Sequence, residues 1–279
     1  MHPLWVRPYI EHALREDIGT GDVTTEAILP AGTPLVARLV AKHAGRIAGL
    51  PVAEEAFRLL DPAVRIERHV DEGSDVTAGT VLATVCGEGR AILSAERVAL
   101  NLLQRLSGIA TATRDVCRAV SGFPVRIADT RKTLPGLRVL DKYAVRVGGG
   151  VNHRFGLYDC VMIKDNHIAA AGSLARAVEA VRRRVGHWVK IEVEADTLEQ
   201  VDEAVRLGVD IVLLDNMTPD EVAEAVRRVG GRAITEASGG ITPENVRAYA
   251  ATGVDVISLG WLTHSVRALD ISLDVEPIR

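Results

Sequence analysis

The sequence predicts an α/β protein whose larger, C-terminal part is an incomplete or irregular α/β barrel. Short runs rich in β-branched residues alternate with helical patterns at nearly even spacing, as successive βα units do. These runs show little polar alternation, which is typical of parallel strands buried on both faces. The predicted strands are residues 125–130, 160–164, 189–194, 211–216, 233–240 and 256–260. About six strands are recognisable in this way, fewer than the eight of a complete barrel.

Helix boundaries between the strands support this interpretation. Thr197 and Thr218 each precede a Gln or Glu by three residues, which is the pattern of a capping box. Pro219 and Pro243 stand where proline is favoured in a first helical turn. No Gly-x-Gly-x-x-Gly motif opens a helix, which disfavours the alternative of an open doubly wound sheet that binds a dinucleotide.

The first hundred residues have a different, α+β pattern. The elements predicted there are strands at residues 35–42, 64–70 and 80–86 and helices at 52–60 and 94–106. Ser94 is the predicted N-cap of the second helix. Because residues 269–275 alternate like an edge strand, we expect the C-terminal segment to return to the N-terminal sheet. We therefore predict an N-terminal domain at residues 1–108, joined by 266–279, and a catalytic barrel at residues 109–265.

Composition narrows the class of protein. The chain has 279 residues, of which 47% are hydrophobic and 25% charged, as in an ordinary globular protein. Its net charge of −4 gives little support to nucleic-acid binding, so an anion site must be a local concentration of Lys and Arg. The three cysteines are scattered, and no apolar stretch has the length of a membrane helix. We expect a soluble cytoplasmic enzyme without a secretory signal.

Cationic residues follow the early barrel strands. In an α/β barrel, side chains at the carboxyl ends of the strands face the active site. The cations at these positions are Arg131, Lys132, His153, Arg154 and Lys164. Each one alone fits an exposed surface charge, but their succession along consecutive strand ends predicts one shared pocket for anions.

Carboxylates and glycines follow the later strands. Glu194 and Asp215 are either ordinary ion-pair partners of lysines or, facing a bound pyrophosphate, holders of Mg²⁺ directly or through its waters. The sequence Ser238-Gly239-Gly240 precedes a helix that Thr242 and Pro243 are predicted to open, and Gly260 ends the next strand. Small residues at such a turn allow backbone N–H groups to approach a phosphate. We therefore predict a phosphate site at this edge of the barrel.

Motifs spread over nearly the whole chain resemble those of the quinolinate phosphoribosyltransferase family. They include Asp129-Thr130-Arg131-Lys132-Thr133 and Gly149-Gly150-Val151-Asn152-His153-Arg154. The remaining motifs lie at residues 16–22, 95–102, 107–111, 163–167, 214–216 and 237–241. Together they are highly specific, whereas any one of them alone is a weak signal.

The resemblance implies an enzyme of NAD synthesis. Such an enzyme joins quinolinate to 5-phosphoribosyl-1-pyrophosphate in the presence of Mg²⁺ and releases CO2 and pyrophosphate to give nicotinate mononucleotide. The resemblance also implies an N-terminal α/β sandwich, an incomplete barrel, and a homodimer or assembly of dimers whose active site is shared between subunits.

Roles for individual residues follow from the same resemblance. It implies that the quinolinate carboxylates and the sugar phosphates are bound by Arg131, His153, Arg154 and Lys164, with Lys132 in the same pocket. Arg97 would enter from the neighbouring subunit. The residues implied near the ribose and the Mg²⁺-pyrophosphate are Glu194 and Asp215, and those at the 5-phosphate are Ser238, Gly239, Gly240 and Gly260. We expect the catalytic set to be Lys132, Lys164, Glu194 and Asp215.

Three alternatives remain open at this point. A paralogue found with molybdate transport genes would use the same fold on a different acid. A generic aldolase-type barrel would use Lys164 to form a Schiff base. Residues 70–93 also have the glycine-punctuated β pattern of a biotinyl or lipoyl carrier, but they lack a lysine at a hairpin tip.

Overall fold

A computed structural model describes residues 3–276 of the chain, and these residues divide into two compact units. Unit 1 contains the described parts of Met1–Arg114, Leu134–Gly149 and Ser265–Arg279. Unit 2 contains Asp115–Thr133 and Gly150–His264. The sequence-based boundary at residue 108 lies six residues before the end of the first segment of unit 1, and residues 277–279 of the predicted returning segment lie outside the described residues.

Unit 1 is an antiparallel sheet with helices. Its strands pair in the order β12-β1-β5-β3, and β2 pairs separately with β4. The elements of unit 1 are α1 (Pro3–Ile18), α2 (Val23–Ile28), β1 (Pro34–Ala41), β2 (Gly45–Arg46), α3 (Leu50–Leu60), β3 (Arg65–Arg68), β4 (Asp75–Val76), β5 (Val81–Glu88), α4 (Gly89–Ala119), α5 (Arg138–Gly148) and β12 (Ile271–Val275). Of these, α4 continues five residues past Arg114, the last residue of its segment of unit 1.

Period-two burial holds the unit 1 sheet in register. Along β1, Leu35, Ala37 and Leu39 are buried while the residues between them are more exposed. Strand β12 pairs antiparallel with β1 and places Leu273 opposite Leu39, so the strand predicted from the alternation in residues 269–275 is confirmed. A shift of one residue would turn the buried side chains of β1 toward the exposed face, and this cost fixes the pairing.

The start of α4 differs from the sequence-based prediction. The helix begins at Gly89 rather than at Ser94, so the assignment of Ser94 as an N-cap is wrong. The carboxylate of Glu88 accepts from the backbone N–H of Ala91 at 2.7 Å and serves the first turn instead. The hydroxyl of Ser94 donates to Asp22 at 3.0 Å, and Asp22 itself caps α2. Glu88, at the end of β5, thus has the capping role that the general preference for Ser and Thr at N-caps would give to Ser94.

Helix α5 belongs to unit 1, although it lies inside the stretch that the sequence assigns to the barrel. Its Asp141 is fully buried and accepts two hydrogen bonds from Arg105 of α4, at 2.9 and 2.8 Å. Its Tyr143 donates to Glu72 at 2.8 Å. These bonds join residues far apart in the sequence, so no local pattern in α5 could indicate its partners.

Unit 2 contains the parallel strands that the sequence predicts. They pair in the order β6-β11-β10-β9-β8-β7, and an isolated parallel bridge joins Ala128 to Val151. The elements of unit 2 are β6 (Arg126–Ala128), β7 (Val161–Ile163), α6 (Asp165–Ala171), α7 (Leu174–Arg182), β8 (Ile191–Ala195), α8 (Leu198–Arg206), β9 (Ile211–Asp215), α9 (Pro219–Val229), β10 (Ile234–Ser238), α10 (Val246–Ala250), β11 (Val256–Ser258) and α11 (Trp261–His264). The alternation of strands and helices around one parallel sheet is that of a barrel-like α/β fold with fewer than eight strands.

Two of the predicted helix starts in unit 2 are confirmed and one is wrong. Thr197 and Thr218 form capping boxes at the starts of α8 and α9, and Pro219 occupies the first turn of α9. Pro243 does not open a helix, because residues 243–245 form a turn and α10 begins only at Val246.

Within residues 3–276, no helix is both long and apolar enough to cross a membrane.

The packing of α4 generates a stability prediction. A Cβ atom at Gly108 would lie 2.3 Å from the carbonyl oxygen of Arg267 and 3.0 Å from the Cα of Ala268. We expect Gly108→Ala to lower the free energy of unfolding by about 1–3 kcal/mol, although alanine is favoured over glycine within helices by about 1 kcal/mol. Guanidinium denaturation followed by circular dichroism measures the change.

The matched control is Gly186→Ala, because a Cβ atom at Gly186 meets nothing within 4 Å. This substitution should leave the free energy of unfolding within about 0.5 kcal/mol of the wild-type value. A Gly108→Ala variant that is as stable as this control, or more stable, would contradict the close approach of α4 and the C-terminal segment.

Candidate active site

A lysine and a glutamate meet at the carboxyl ends of β7 and β8. Lys164 directly follows β7, and its ammonium forms an ion pair with the carboxylate of Glu194 on β8. The side chain of Glu194 is only 11% exposed, so this charge lies at a sheltered rim rather than in bulk water. The pairing confirms that two of the predicted site residues lie together.

Asp215 ends β9 and joins the same cluster. Burial, followed by the charges of Glu194 and Asp196, raises the pKa of the Asp215 carboxyl above its ordinary value, while Lys164 and Lys132 act in the opposite direction. The side-chain amide of Asn216 donates to Asp215 at 2.6 Å. Asp215 thus lies between carboxylates and lysines, in a place that favours a cation or a developing positive charge.

Close packing around Gly260 holds the loop that carries Lys132. The hydroxyl of Thr263 donates to the carbonyl oxygen of Lys132 at 2.7 Å. A Cβ atom at Gly260 would lie 2.7 Å from the Lys132 side chain and 3.1 Å from that of His264. A larger residue would crowd these two side chains, so Gly260 leaves room for Lys132 after the end of β11.

The turn after β10 has the small residues that the phosphate prediction requires, but not the predicted helix. Gly239 and Gly240 have φ angles of +91° and +61°, and a Cβ atom at Gly239 would lie 2.2 Å from Asn216. The backbone N–H of Asn216 donates to the carbonyl oxygen of Ser238 at 2.9 Å, which ties this turn to the end of β9. Because α10 has only five residues and starts at Val246, an anion here would meet N–H groups of the turn and not a helix N-terminus.

Asp129 is a site residue that the sequence analysis did not single out. It directly follows β6, is fully buried, and holds the segment that carries the predicted His153 and Arg154. Its carboxylate accepts from the Asn152 side chain at 2.6 Å and from the backbone N–H of His153 at 2.8 Å. The signal was its position at a strand end, two residues before the cationic Arg131.

The imidazole of His153 is held on two sides. Its Nδ1 atom accepts from the backbone N–H of Arg154 at 2.7 Å. Its Nε2 atom lies 3.3 Å from a carboxylate oxygen of Glu192 and 3.4 Å from one of Glu236. The Arg154 guanidinium donates to the carbonyl oxygen of Cys160 at 3.1 Å.

Glu192 and Glu236, which we call the glutamate pair, lie one step deeper in the barrel than the predicted site residues. They precede Glu194 and Ser238 by two positions on β8 and β10 and therefore point to the same face of the sheet. Burial and the neighbouring charge of Glu192 raise the pKa of Glu236 well above its ordinary value. Their spacing from the predicted residues could have identified them from the sequence.

Two further predicted site residues are exposed. Arg131 is exposed in the loop after β6. Arg97 is exposed on α4 in unit 1, so its predicted role beside residues of unit 2 stays a prediction.

Cys160 is not an activated nucleophile, because burial and the charge of Glu192 raise the pKa of its thiol to about 11.

The same chain matches two consecutive family models. The model of the quinolinate phosphoribosyl transferase N-terminal domain matches residues 22–107, and that of the C-terminal domain matches residues 109–274. Together they cover well over half of the chain.

Relatives extend the similarity to full length. The chain is 50% identical over 275 residues to a probable nicotinate-nucleotide pyrophosphorylase (carboxylating) of Bacillus subtilis, covering 99% of this chain and 95% of that protein. It is 47% identical over 277 residues to the nicotinate-nucleotide pyrophosphorylase (carboxylating) of Mycobacterium leprae, covering 96% of each chain. A crystal structure of NadC from Streptococcus pyogenes superposes with a TM-score of 0.95 at 39% identity, over 99% of both chains. The chain therefore belongs to the quinolinate phosphoribosyltransferase family.

Proposed function

We propose that this chain transfers the phosphoribosyl group of 5-phosphoribosyl-1-pyrophosphate to quinolinate and forms nicotinate mononucleotide, CO2 and pyrophosphate for NAD synthesis. The observation that carries the proposal is the cluster of Lys132, Lys164, Glu194 and Asp215 at strand ends, in a chain that matches both domains of the family. The alternative of a molybdate-transport paralogue finds no support among the matched relatives.

Recognition of quinolinate is assigned to the cations around β6 and β7. Quinolinate carries two adjacent carboxylates, and an arginine can donate to such a group through two parallel N–H bonds. Arg131 and Arg154 take this role, with His153, Lys132 and Lys164 lining the pocket. The buried Asp129 supports the assignment, because it holds the backbone of His153 directly before Arg154.

Catalysis is assigned to the carboxylates and lysines at the ends of β7, β8 and β9. Breaking the bond between ribose C1 and pyrophosphate builds positive charge on the sugar ring. Glu194 and Asp215 stabilise this charge electrostatically, because their oxygens are fixed at a sheltered rim before the reaction begins. Lys164 holds Glu194 in place, and Lys132 offsets the negative charge of the phosphates.

Decarboxylation follows from the first step. Once its ring nitrogen is ribosylated, the pyridine ring is cationic. When the bond between C2 and its carboxylate breaks and CO2 leaves, the positive ring nitrogen stabilises the electron pair left on C2, and a proton from water then completes the C2–H bond. No separate electron sink is then required. The cationic pocket orients this carboxylate, and Asp129 holds the segment that carries His153 and Arg154.

The donor set of Glu194 and Asp215 fits Mg²⁺. Two carboxylates with a neighbouring Asp196 supply the oxygen ligands that Mg²⁺ prefers, and such ions are commonly held by one or two carboxylates together with substrate phosphates. When bound with the substrate, Mg²⁺ supplies charge neutralisation to the leaving pyrophosphate. Glu194 and Asp215 would hold it directly or through water.

The 5-phosphate is assigned to the turn after β10 and the end of β11. Positive φ angles at Gly239 and Gly240 turn successive backbone groups, and such turns form concave anion sites. Ser238 adds a hydroxyl, and Gly260 is assigned to the same phosphate, beside the Lys132 side chain that packs against it.

We assign the protein to the cytoplasm as a homodimer or an assembly of dimers. Unit 1 exposes several large apolar side chains near its N-terminus, which favour burial against another chain. They are Leu4 (79% exposed), Trp5 (64%), Val23 (84%) and Ile28 (70%). Arg97 would enter the site of the neighbouring subunit in such an assembly.

A product assay tests the function. The purified chain is incubated with quinolinate, phosphoribosyl pyrophosphate and Mg²⁺, and then with nicotinate in place of quinolinate. We expect nicotinate mononucleotide to form from quinolinate and not from nicotinate, because a pocket for two carboxylates binds a monocarboxylate poorly. Chelation of Mg²⁺ should abolish product formation. Formation of product from nicotinate at an equal rate would contradict the substrate assignment.

Removing the Arg154 guanidinium tests the anion pocket. We expect Arg154→Ala to raise the KM for quinolinate by roughly 30-fold or more, since a charge-assisted hydrogen bond is worth about 1.5–3 kcal/mol and pairs of such bonds add to this. Steady-state kinetics with a thermal melt measures both affinity and stability. The control is Arg183→Ala at an exposed i,i+4 pair of α7, which should behave as wild type. Unchanged quinolinate affinity in Arg154→Ala would overturn the assignment.

The carboxylates near the ribose generate a separate prediction. We expect Glu194→Gln and Asp215→Asn each to lower kcat by roughly 100-fold, the usual cost of losing one electrostatic stabiliser of a transition state. The exposed Glu179→Gln is the control and should keep full activity. Rates close to wild type in both site variants, measured at saturating Mg²⁺, would remove Glu194 and Asp215 from the catalytic set.

A further inference from the structure

The glutamate pair lies in the most buried part of the site. Glu192 is fully buried and Glu236 is 4% exposed. Both carboxylate oxygens of Glu192 and one of Glu236 are buried without a hydrogen-bond partner among the described residues. Buried carboxyl groups that lack donors lower stability, so their presence in a barrel interior calls for a role other than stability.

Both glutamates contact the same atom, Nε2 of His153. The two N···O distances, 3.3 and 3.4 Å, are longer than an ordinary N–H···O bond, so these contacts are electrostatic rather than formed hydrogen bonds. The glutamates approach from different strands, β8 and β10. They therefore confine the edge of the ring between them.

The hydrogen bond on the other side of the ring defines its tautomer. The backbone N–H of Arg154 donates to Nδ1, so Nδ1 is unprotonated and Nε2 carries the proton of the neutral ring. A proton on Nε2 that faces two carboxyl groups is stabilised by their negative potential. The ring is thus fixed from both ends, by Arg154 at Nδ1 and by the glutamate pair at Nε2.

The same hydrogen bond argues against a metal at this cluster. His153, Glu192 and Glu236 have the right atom types and lie within 4.8 Å of one another. A histidine that binds a metal through Nε2 normally donates its other N–H, at Nδ1, to an acceptor. Here Nδ1 accepts instead, and a protonated Nε2 has no lone pair to offer a metal.

We propose that Glu192 and Glu236 are positioning residues that hold His153 in its Nε2–H form and so fix the backbone of Arg154 for binding of the quinolinate carboxylates. The proposal rests on the proposed function, which places His153 and Arg154 in the quinolinate pocket. The chain of contacts is short, because the His153 ring binds the backbone N–H of Arg154 and Asp129 binds that of His153.

Space beside the pair makes a decisive substitution feasible. A cavity of about 260 Å³ in unit 2 is lined by both glutamates and His153, by charged residues such as Arg126 and by apolar residues such as Ile234. Leucine has a volume close to that of glutamate and can pack against this lining without overfilling it. Replacing a whole buried ion pair by apolar groups is often neutral or stabilising. Here the removal of two poorly paired buried carboxylates offsets the loss of their contacts with His153.

The experiment compares the double variant Glu192→Leu/Glu236→Leu with the isosteric single variants Glu192→Gln and Glu236→Gln. We expect the double variant to melt at the wild-type temperature or higher, yet to raise the KM for quinolinate roughly tenfold or more through loss of contacts to a polar N–H. Its KM for phosphoribosyl pyrophosphate should stay within about twofold of the wild-type value, because changes at separate sites usually act independently. The Gln variants should lie between, because an amide oxygen keeps the polar contact with Nε2 but loses the negative charge.

A ring readout separates this inference from the proposed function. In ¹⁵N-histidine-labelled protein, the His153 signals, assigned with His153→Asn, should show a slowly exchanging Nε2–H that exchanges faster in the glutamate variants. This measurement needs no turnover, so a wild-type protein without quinolinate activity would refute the proposed function while the ring signals still test the pair.

Two results would overturn the inference. One is a folded double variant with wild-type quinolinate KM and unchanged ring signals. The other is a double variant with lowered stability in which both substrates lose affinity alike, which would make the pair structural. If the double variant does not fold, the same comparison is made with the two Gln variants, whose wild-type KM and exchange rates would equally refute the role.

Discussion

Parallel pairing of the strands β6 to β11 is the constraint on which the candidate site depends. Because these strands run in one direction, their carboxyl ends meet at the same rim, and the residues that follow them come together from distant parts of the chain. Lys164 after β7, Glu194 on β8 and Asp215 on β9 are separated by up to fifty-one positions in the sequence, yet their charges influence one another directly. A single register error would move one of these side chains to the opposite face.

Partial burial gives these charges their effect. In bulk water the pair of Lys164 and Glu194 would contribute little, since exposed ion pairs are screened and mobile. At the sheltered rim the same pair is held in place, and Asp215 feels both its carboxylate and its lysine neighbours. Deeper in the barrel, Glu192 and Glu236 have few hydrogen-bond donors around them. A negative charge there is therefore less well stabilised than one at the rim. The charges at the rim of the barrel are thus paired, whereas those in its interior are poorly paired.

Asp129 and the glutamate pair show how the fold holds its functional residues. Neither makes a contact that a reaction requires by itself, but together they fix both the backbone and the ring of His153. The adjacent Arg154 is positioned by the same bonds. Such supporting residues lie on strands or directly at strand ends, and side chains held by regular elements keep their geometry more precisely than those on loops.

Local patterns determined the parallel strands, the capping boxes at Thr197 and Thr218 and the predicted cluster at the strand ends, because periodicity and capping depend on neighbours in the sequence. Family motifs added the reaction. Tertiary structure alone decided that Glu88 rather than Ser94 serves the start of α4, that α5 packs within unit 1 through Asp141 and Arg105, and that no helix begins at Pro243. It also decided that Glu192 and Glu236 flank His153. The bonds of Ser94 to Asp22, of Arg105 to Asp141 and the contacts of the glutamate pair with His153 join residues tens of positions apart. The free energy of burying such groups is set by those distant partners, which sequence patterns do not reveal.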